Sequence, residues 1–295
     1  QLGKYQCGLP DSEWQWLCET VNYIFHVAAS VDTIADYQAM RNANVLPIPE
    51  MIRLAQHGRI KPIVFTSSQA VCIRKLDGRF TVYPPEVVTD SPEGLMIGYA
   101  QSKWAAERIL MAAAPQVPVS IVRIPHVLPA SNCPATQDNI LSCVLEVARS
   151  VGTVPEWPDS CVDGVPVDRL ARLIVSDVNR HRDGHAVAHV VDRTAPTFSE
   201  IVRTALVVSG IPAPALVPLD EWLDQCRQLM RERHHHSDIV TARLFELTDA
   251  GVLFVTMFGG QRVCSDYFSD PAVDQQLLSN MVADDYWAAY CEQSV

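Results

Sequence analysis

The chain has 295 residues, of which 48% are hydrophobic and 19% are charged, so it can bury a sizeable core and wholesale disorder is excluded. Its 34 acidic and 23 basic side chains give a net charge of −11, which repels phosphate backbones and argues against nucleic-acid binding. The nine cysteines include no CxxC pair, which favours free thiols in a reducing cytoplasm over a disulfide framework or a metal site.

Helices alternate with short apolar strands in the first half of the chain. In order, the pattern predicts a helix from Asp11, a strand at 23–30, a helix at 35–56, a strand from Pro62, a helix at 99–114 and a strand at 118–124. This alternation is typical of an α/β protein with a parallel sheet covered on both faces. Ligands of such sheets bind at the carboxyl ends of the strands, so polar residues that follow strands are the first candidates for chemistry.

The second half is organised differently. The sequence predicts a turn into a helix at 161–175, a further strand at 185–192, and a helix that Thr197 caps and Gly210 ends. A helical, acidic tail completes the chain. We therefore expect a sheet domain joined to a smaller, mostly helical subdomain.

The strongest chemical signal is the segment YAQSK, which places Tyr99 and Lys103 at the start of a predicted helix. Residues four apart share a helical face, so the phenol and the ammonium are predicted to be neighbours. A nearby cation stabilises phenolate and lowers the pKa of a tyrosine, which suits proton transfer near neutral pH. Ser67 and Ser68 end the preceding strand, where a hydroxyl can hold a substrate carbonyl. The alternative is that these serines, with Thr66, satisfy backbone groups at the strand end.

Five segments resemble, in this order, the extended short-chain dehydrogenase/reductase family: HVAAS, NANV, FTSSQAV, YAQSK and VRIPHVLPA. The first half is most similar to the thioester reductase domains that release products from non-ribosomal peptide and polyketide assembly lines, and to carboxylic acid reductases. The resemblance implies a Rossmann-like, doubly wound parallel sheet in a cofactor domain at 1–130, to which 165–195 returns. It also implies a subdomain over 131–295 that mainly faces the substrate and its carrier.

The resemblance assigns roles to individual residues. Ser68 would hold the substrate carbonyl, Tyr99 would be the general acid, and Lys103 would bind the nicotinamide ribose and tune Tyr99. The other residues implied at an NADPH site are Ala28 and Ala29, which would border the cofactor, Asn44, which would support the lysine side, and Pro125, whose backbone would face the carboxamide. No metal is implied.

The chain departs from this family at the phosphate-binding loop. Its 13 glycines include no GxGxxG or GxxGxxG arrangement, and it does not begin with Met. That loop normally brings the backbone close to the pyrophosphate of the cofactor. We therefore expect either the C-terminal three-quarters of a larger domain, inactive by itself, or a degenerate relative without a cofactor, and the missing Met favours the first. The prolines of LPIPE, after Asn44, are a smaller departure.

The predicted function is NADPH-dependent reductive release of an acyl or peptidyl thioester as an aldehyde or alcohol. The implied partner is a carrier domain that bears the substrate on phosphopantetheine; no membrane is expected, since no apolar run approaches the roughly 20 residues of a membrane span. Three alternatives remain open: a non-redox domain that cyclises the thioester, a nucleotide-sugar epimerase or dehydratase, and a scaffold without chemistry. Intact Ser68, Tyr99 and Lys103 argue against the first alternative, whereas the absent glycine loop argues for it.

Overall fold

The computed structural model describes residues 2–32, 35–77, 79–83, 90–130, 140–158, 160–177, 185–190, 195–232 and 291. These residues divide into two compact units. The first unit contains the described residues up to Pro125 and those within 171–190, and the second contains those within 126–170 and from 195 onward. Apart from Cys291, the predicted acidic tail lies outside the described residues.

The helices, in chain order, are α1 (Asp11–Thr20), α2 (Tyr37–Asn44), α3 (Pro47–Gln56), α4 (Gly98–Ala113), α5 (Ile140–Val151), α6 (Val167–Asp177), α7 (Phe198–Val208) and α8 (Leu219–Glu232). The strands are β1 (Ile24–His26), β2 (Ile63–Ser68), β3 (Ile73–Leu76), β4 (Arg79–Val82), β5 (Val119–Ile124), β6 (His126–Leu128), β7 (Val154–Glu156), β8 (Gly164–Pro166), β9 (His185–His189) and β10 (Leu216–Pro218). Short 3-10 helices lie at Tyr5–Gly8 and Gln69–Cys72.

The first unit is built on a parallel sheet with the strand order β1-β2-β5-β9. All four strands lie within the apolar segments predicted to be strands, so the prediction of an α/β fold with a parallel sheet is confirmed. Strand β2 is central, and its register places Ser67 beside Arg123 and Ser68 beside Ile124 of β5. The carboxyl ends of β1, β2 and β5 therefore lie at one edge of the sheet.

The core of this unit lies between the sheet and helices α1, α3 and α4. Alternate residues of β2 and β5, among them Ile63, Phe65 and Ile121, are at most 1% exposed. They pack in one cluster with Ala106 and Leu110 of α4, which are completely buried. Because apolar burial is the dominant stabilising contribution, this cluster fixes α4 on the face of the sheet.

The segment 35–56 forms two helices rather than the single helix predicted. Helix α2 ends at Asn44 and α3 begins at Pro47, because proline lacks the N–H that a continuing helix needs and restricts the residue before it. Pro47 is well placed in the first turn of α3, where that N–H has no helical partner. The break leaves Asn44 buried at the end of α2, where it can contact other elements.

The second unit contains the parallel pairs β7–β10 and β6–β8 together with α5, α7 and α8. Its core includes Trp222 and Phe198, both completely buried, whose rings meet edge to face with centroids 5.6 Å apart. The predicted start of α7 is confirmed, since Thr197 and Glu200 form a capping box. Its predicted end is confirmed as well, since Gly210, with a φ of 92°, lies just beyond the helix.

The cysteines in these ranges are free thiols: Cys7, Cys18, Cys72, Cys143, Cys161, Cys226 and Cys291. Within the part of the chain that the structure describes, no helix is long and apolar enough to cross a lipid bilayer. The same residues contain no group of three or more His, Cys, Asp and Glu side chains placed to hold a metal ion.

Candidate active site

Helix α4 begins where its backbone packs against the start of α2. Gly98 is its first residue, and a Cβ at this position would collide with the backbone of Ala35, Asp36 and Tyr37. Glycine therefore allows the two helix starts to approach closely. The next residue is Tyr99, so this contact fixes the position of the candidate proton donor.

Lys103 lies one turn further along α4 and is 3% exposed. Its Nζ donates to the Thr66 carbonyl of β2 at 2.7 Å. The same atom lies 4.8 Å from the centroid of the Phe65 ring and 5.9 Å from that of Tyr99. Burial lowers the pKa of Lys103 to about 8, and the Glu107 carboxylate opposes that effect. The lysine is therefore mostly charged at neutral pH.

The Ser68 side chain lies close enough to the Tyr99 phenol to act on its pKa through hydrogen bonding. Burial raises the pKa of Tyr99, and this interaction with Ser68 opposes the rise. The net lowering of the Tyr99 pKa expected from the sequence is not observed, because lost hydration of the phenol outweighs stabilisation of the phenolate by Lys103, whose ammonium donates to the Thr66 carbonyl. A tyrosine that keeps its proton at neutral pH is suited to donate it during a reduction.

The three hydroxyl residues at the end of β2 have different environments. Thr66 Oγ1 donates to the His26 carbonyl at 3.3 Å, so it satisfies backbone as the alternative interpretation predicts. Ser68 Oγ accepts from the Ala70 N–H at 3.2 Å, which caps the following 3-10 helix, and it acts on the pKa of Tyr99. Ser67 is completely buried, and its Oγ has no hydrogen-bond partner among the described residues. Of the two serines, Ser68 is therefore the one whose hydroxyl acts on Tyr99.

Asn44 connects the loop after β1 to the first turn of α4. Its Oδ1 accepts from the Ser30 N–H at 2.8 Å, and its Nδ2 donates to the Ser30 carbonyl at 3.0 Å. Its Nδ2 also donates at 2.9 Å to the Oγ of Ser102, which donates at 2.7 Å to the Tyr99 carbonyl. Asn44 is thus tied to Ser102, the residue that precedes Lys103 on α4.

The other residues implied at the cofactor site lie at the same edge of the sheet. Ala28 and Ala29 are exposed in the loop after β1, and Pro125 is half-buried directly after β5. Strand β2, which ends at the candidate serine, lies between β1 and β5. An ammonium has three N–H groups, and the Thr66 carbonyl accepts from one of those on Lys103.

Sequence reasoning missed residues whose roles depend on contacts between distant parts of the chain. His26 stacks on Phe65 with ring centroids 5.7 Å apart. Burial, together with the nearby charge of Lys103, lowers the pKa of His26 to about 4, so it adds no charge to the site near pH 7. The signal that could have identified His26 in the sequence is its position within a predicted strand, β1 of the structure, which ends at this residue. Ser102 pairs with a side chain 58 positions earlier, which no local pattern reveals.

Comparison with known proteins gives a consistent result. Residues 1–174 match the model of an NAD-binding family described as male sterility protein. The chain is 35% identical over 187 residues to the L-2-aminoadipate reductase large subunit of Candida glabrata. The matched stretch covers 59% of this chain and 14% of that protein. It is 31% identical over 237 residues to a hybrid PKS-NRPS synthetase from a Fusarium species, covering 77% of this chain and 6% of that protein.

Among solved structures, the terminal R domain from the myxalamid PKS-NRPS biosynthetic pathway matches with a TM-score of 0.76 and 27% identity. The match covers 99% of this chain and 73% of that chain. The chain therefore spans most of a solved R domain but a small part of the length of its curated relatives.

Proposed function

Because the chain belongs to the male sterility family of NAD-binding proteins, as a thioester reductase (R) domain of the extended short-chain dehydrogenase/reductase family, we propose that it releases a carrier-bound thioester by reduction. The substrate is an acyl or peptidyl chain on the phosphopantetheine of a carrier domain, the reductant is NADPH, and the product is an aldehyde or an alcohol. The observation that carries this proposal is the meeting of Ser68, Tyr99 and Lys103 at one strand end.

Two hydroxyl groups are available to hold the carbonyl oxygen of the thioester. The influence of Ser68 on the pKa of Tyr99 supports two neighbouring hydroxyls, each of which can donate to a substrate oxygen that enters between them. The raised pKa of Tyr99 keeps its proton available at neutral pH. Lys103, held by the Thr66 carbonyl, places a positive charge beside the Tyr99 ring, where it stabilises the phenolate that forms when the proton leaves.

A nicotinamide cofactor, when bound, supplies a hydride to the carbonyl carbon. Tyr99 gives its proton to the carbonyl oxygen, so that the thioester becomes a hemithioacetal, and Ser68 holds that oxygen as negative charge develops on it. The carbon–sulfur bond then breaks, the sulfur leaves as the carrier thiol with the hydroxyl proton, and the aldehyde is released. The same residues can serve a second reduction, which gives the alcohol.

The described residues that would hold the nicotinamide end are Tyr99 and Lys103 together with Ala28, Ala29, Asn44 and Pro125. The described loops after β1 and β2 contain no glycine and so offer no close backbone approach to a pyrophosphate. We therefore expect this chain by itself to bind NADPH weakly and to turn over little. Calorimetry on the chain tests this expectation, and micromolar binding would place the cofactor elsewhere.

A carrier domain is the proposed partner, and the second unit is the proposed site of acyl or peptidyl recognition. The relatives named as PKS-NRPS proteins support this assignment, since such assembly lines hold their intermediates as thioesters. The alternative without redox chemistry would release the same thioester by cyclisation. The sequence feature that favours it is the absence of a glycine-rich motif.

The proposal is tested with the full-length protein that contains this chain. A panel of acyl and peptidyl thioesters of phosphopantetheine, presented on a carrier domain, is incubated with NADPH, with NADH or without cofactor, and release and cofactor oxidation are followed together. We expect release of aldehyde or alcohol in step with NADPH oxidation. Release of a cyclised product without cofactor oxidation would replace the proposal by the non-redox rival, and absence of release for every thioester would contradict both.

A further inference from the structure

A buried ion pair lies one helical turn beyond Lys103. Arg123 of β5 donates from Nε to Glu107 Oε1 at 3.0 Å and from Nη2 to Oε2 at 2.8 Å. The two side chains are 3% and 1% exposed. This two-point geometry fixes both the position and the orientation of the carboxylate. Taking two charges out of water offsets most of their attraction, so stability alone is a weak explanation for the pair.

Arg123 is also held by two further elements of the first unit. Its Nη1 donates to Cys72 Sγ at 3.2 Å, in the 3-10 helix that follows Ser68, and lies 3.1 Å from His189 Nε2 of β9. Burial raises the pKa of the Cys72 thiol to about 11. Burial, helped by the charge of Arg123, lowers the pKa of His189 to about 3. Both groups are neutral near pH 7, so Glu107 is the anion that pairs with the Arg123 guanidinium.

The pair is connected to the candidate site through both of its partners. Glu107 follows Lys103 by four residues on α4, so the two side chains share one buried helical face. Arg123 lies in register with Ser67, the neighbour of Ser68 on β2. The pair therefore joins the helix that carries Tyr99 and Lys103 to the strands beside Ser68.

We propose that Arg123 and Glu107 are positioning residues for this site: they lock α4 to β5 so that Tyr99 and Lys103 stay aligned with Ser68, and they hold a carboxylate one turn from the Lys103 ammonium. The proposal rests on the proposed function, because this alignment affects turnover where Tyr99 and Lys103 take part in it. The charge at Lys103 can be measured without turnover, which makes the two claims separable.

Other groups around Lys103 do not supply a comparable negative charge. The groups are the neutral His26 of β1 and, from β2, the Phe65 ring and the Thr66 carbonyl; Asn44 of α2, which binds the neighbouring Ser102, is uncharged. Arg41 of α2 is exposed, and Glu50 and Arg53 of α3 bind each other at 2.8 Å. Among the described residues, Glu107 is the carboxylate that acts on the pKa of Lys103.

The first test is a titration of Lys103 in the chain labelled with 13C-lysine. The sequence contains four lysines, Lys4, Lys61, Lys75 and Lys103, so the spectrum is simple, and Lys103→Arg identifies the signal of interest. We expect a midpoint near pH 8 for Lys103 in the wild type. Glu107→Gln keeps the shape of the side chain, removes its charge and leaves Arg123 uncompensated, so the midpoint should fall by about one unit or more.

A matched control lies on the same helix. Arg108 follows Glu107 and pairs with Asp90 at 2.5 Å, but the Asp90 side chain is 86% exposed. Asp90→Asn also removes one carboxylate from an ion pair of α4, yet solvent screens that charge, so the Lys103 midpoint should not move. An unchanged midpoint in Glu107→Gln, or an equal fall in both variants, would overturn the charge placement.

The second test uses turnover of the full-length protein. Activity should fall as pH rises through the pKa of Lys103, so Glu107→Gln should move this alkaline limb to lower pH. Glu107→Asp keeps the charge and should restore the limb, but its shorter side chain loosens the alignment and lowers kcat. Arg123→Lys keeps the cation without the two-point contact and should lower kcat by about tenfold with a much smaller change in KM.

The outcomes separate the inference from the proposed function. A wild type that reduces no thioester while the titrations behave as expected would remove the proposed function and keep the charge placement. An active wild type with unmoved midpoint and limb in Glu107→Gln would remove the inference alone. Should Glu107→Gln fail to fold, the kcat of Arg123→Lys decides: a loss of thermal stability with wild-type kcat per folded molecule would mark the pair as merely structural.

Discussion

The two units of this chain differ in what they bury beside aliphatic side chains. In the first unit, Lys103, Glu107, Arg123 and Asn44 are all at most 3% exposed, and each is held by hydrogen bonds of 2.7–3.0 Å. In the second, the core contains an aromatic cluster: Phe198 lies between Trp222 and the half-buried Trp157, with ring centroids 5.6 and 6.0 Å away.

This difference shows two contributions of a protein interior: buried polar groups fix the positions of atoms, whereas apolar rings fill volume. A buried polar group is costly unless a partner meets it at the right distance and angle, so the first interior specifies where each atom lies. An aromatic interior tolerates small shifts and contributes chiefly through the apolar surface it removes from water. Substitutions that remove only a reacting hydroxyl of the first unit should therefore affect turnover more than folding, and those in the aromatic cluster of the second should do the reverse.

The largest effect is expected at Tyr99. Tyr99→Phe removes the proton donor and keeps the ring, so turnover of thioester should fall by about 10² to 10⁴ with little loss of thermal stability. Steady-state kinetics and a melting curve on the same preparation measure both. Turnover near that of the wild type would remove Tyr99 from the mechanism and break the assignment of chemistry to the polar interior.

Trp222 tests the opposite case. Trp222→Ala empties the aromatic centre and leaves the Thr153 carbonyl without the indole N–H that donates to it at 3.0 Å. We expect the free energy of unfolding to fall by about 3–5 kcal/mol, measured by denaturant titration, while kcat per folded molecule changes little. Trp222→Phe keeps a ring and should lose much less. Similar losses for both variants would mean that volume is not what this interior contributes.

Ser67 and Ser68 allow turnover and stability to be compared at neighbouring positions of one strand. Ser68→Ala should lower thioester reduction by about 10². Ser67→Ala removes a buried hydroxyl without a described partner, so turnover should hold and stability should rise by up to about 1 kcal/mol. Parallel assays of both variants check this, and the reverse order would show that the strand end is assigned one residue out of place.

The smallest expected effect concerns the start of α7. Thr197 Oγ1 accepts from the Glu200 N–H at 3.1 Å, and the Glu200 carboxylate accepts from the Thr197 N–H at 2.7 Å. Thr197→Ala should cost about 1 kcal/mol of unfolding free energy and leave turnover unchanged. Thr197→Ser keeps the cap and should be nearly neutral. A drop in turnover for Thr197→Ala without a loss of stability would contradict the division of roles between the two interiors.

Local sequence patterns predicted what depends on local chemistry. The four sheet strands follow from short apolar runs, the ends of α7 from Thr197 and Gly210, and the Tyr99–Lys103 face from helical spacing. The break between α2 and α3 was signalled by the prolines but not predicted as a break.

What the sequence could not provide depends on burial and on long-range partners. The pKa of Tyr99 moves opposite to the prediction, because desolvation is a property of the packed protein. The pairing of Asn44 with Ser102 spans 58 positions, and that of Arg123 with Glu107 joins a strand to a helix. No periodicity encodes such pairs, although together they determine where the candidate site lies.

The central claim is that this polar interior serves hydride reduction of a thioester. In the most direct measurement, the full-length protein is incubated with a carrier-bound thioester and NADPH that carries deuterium at the transferable position. The mass of the released product is then determined by mass spectrometry. One deuterium per reduction at the former carbonyl carbon is the predicted result, with its rate of appearance falling in Tyr99→Phe. Released product without deuterium, formed equally fast by wild type and Tyr99→Phe, would contradict the account.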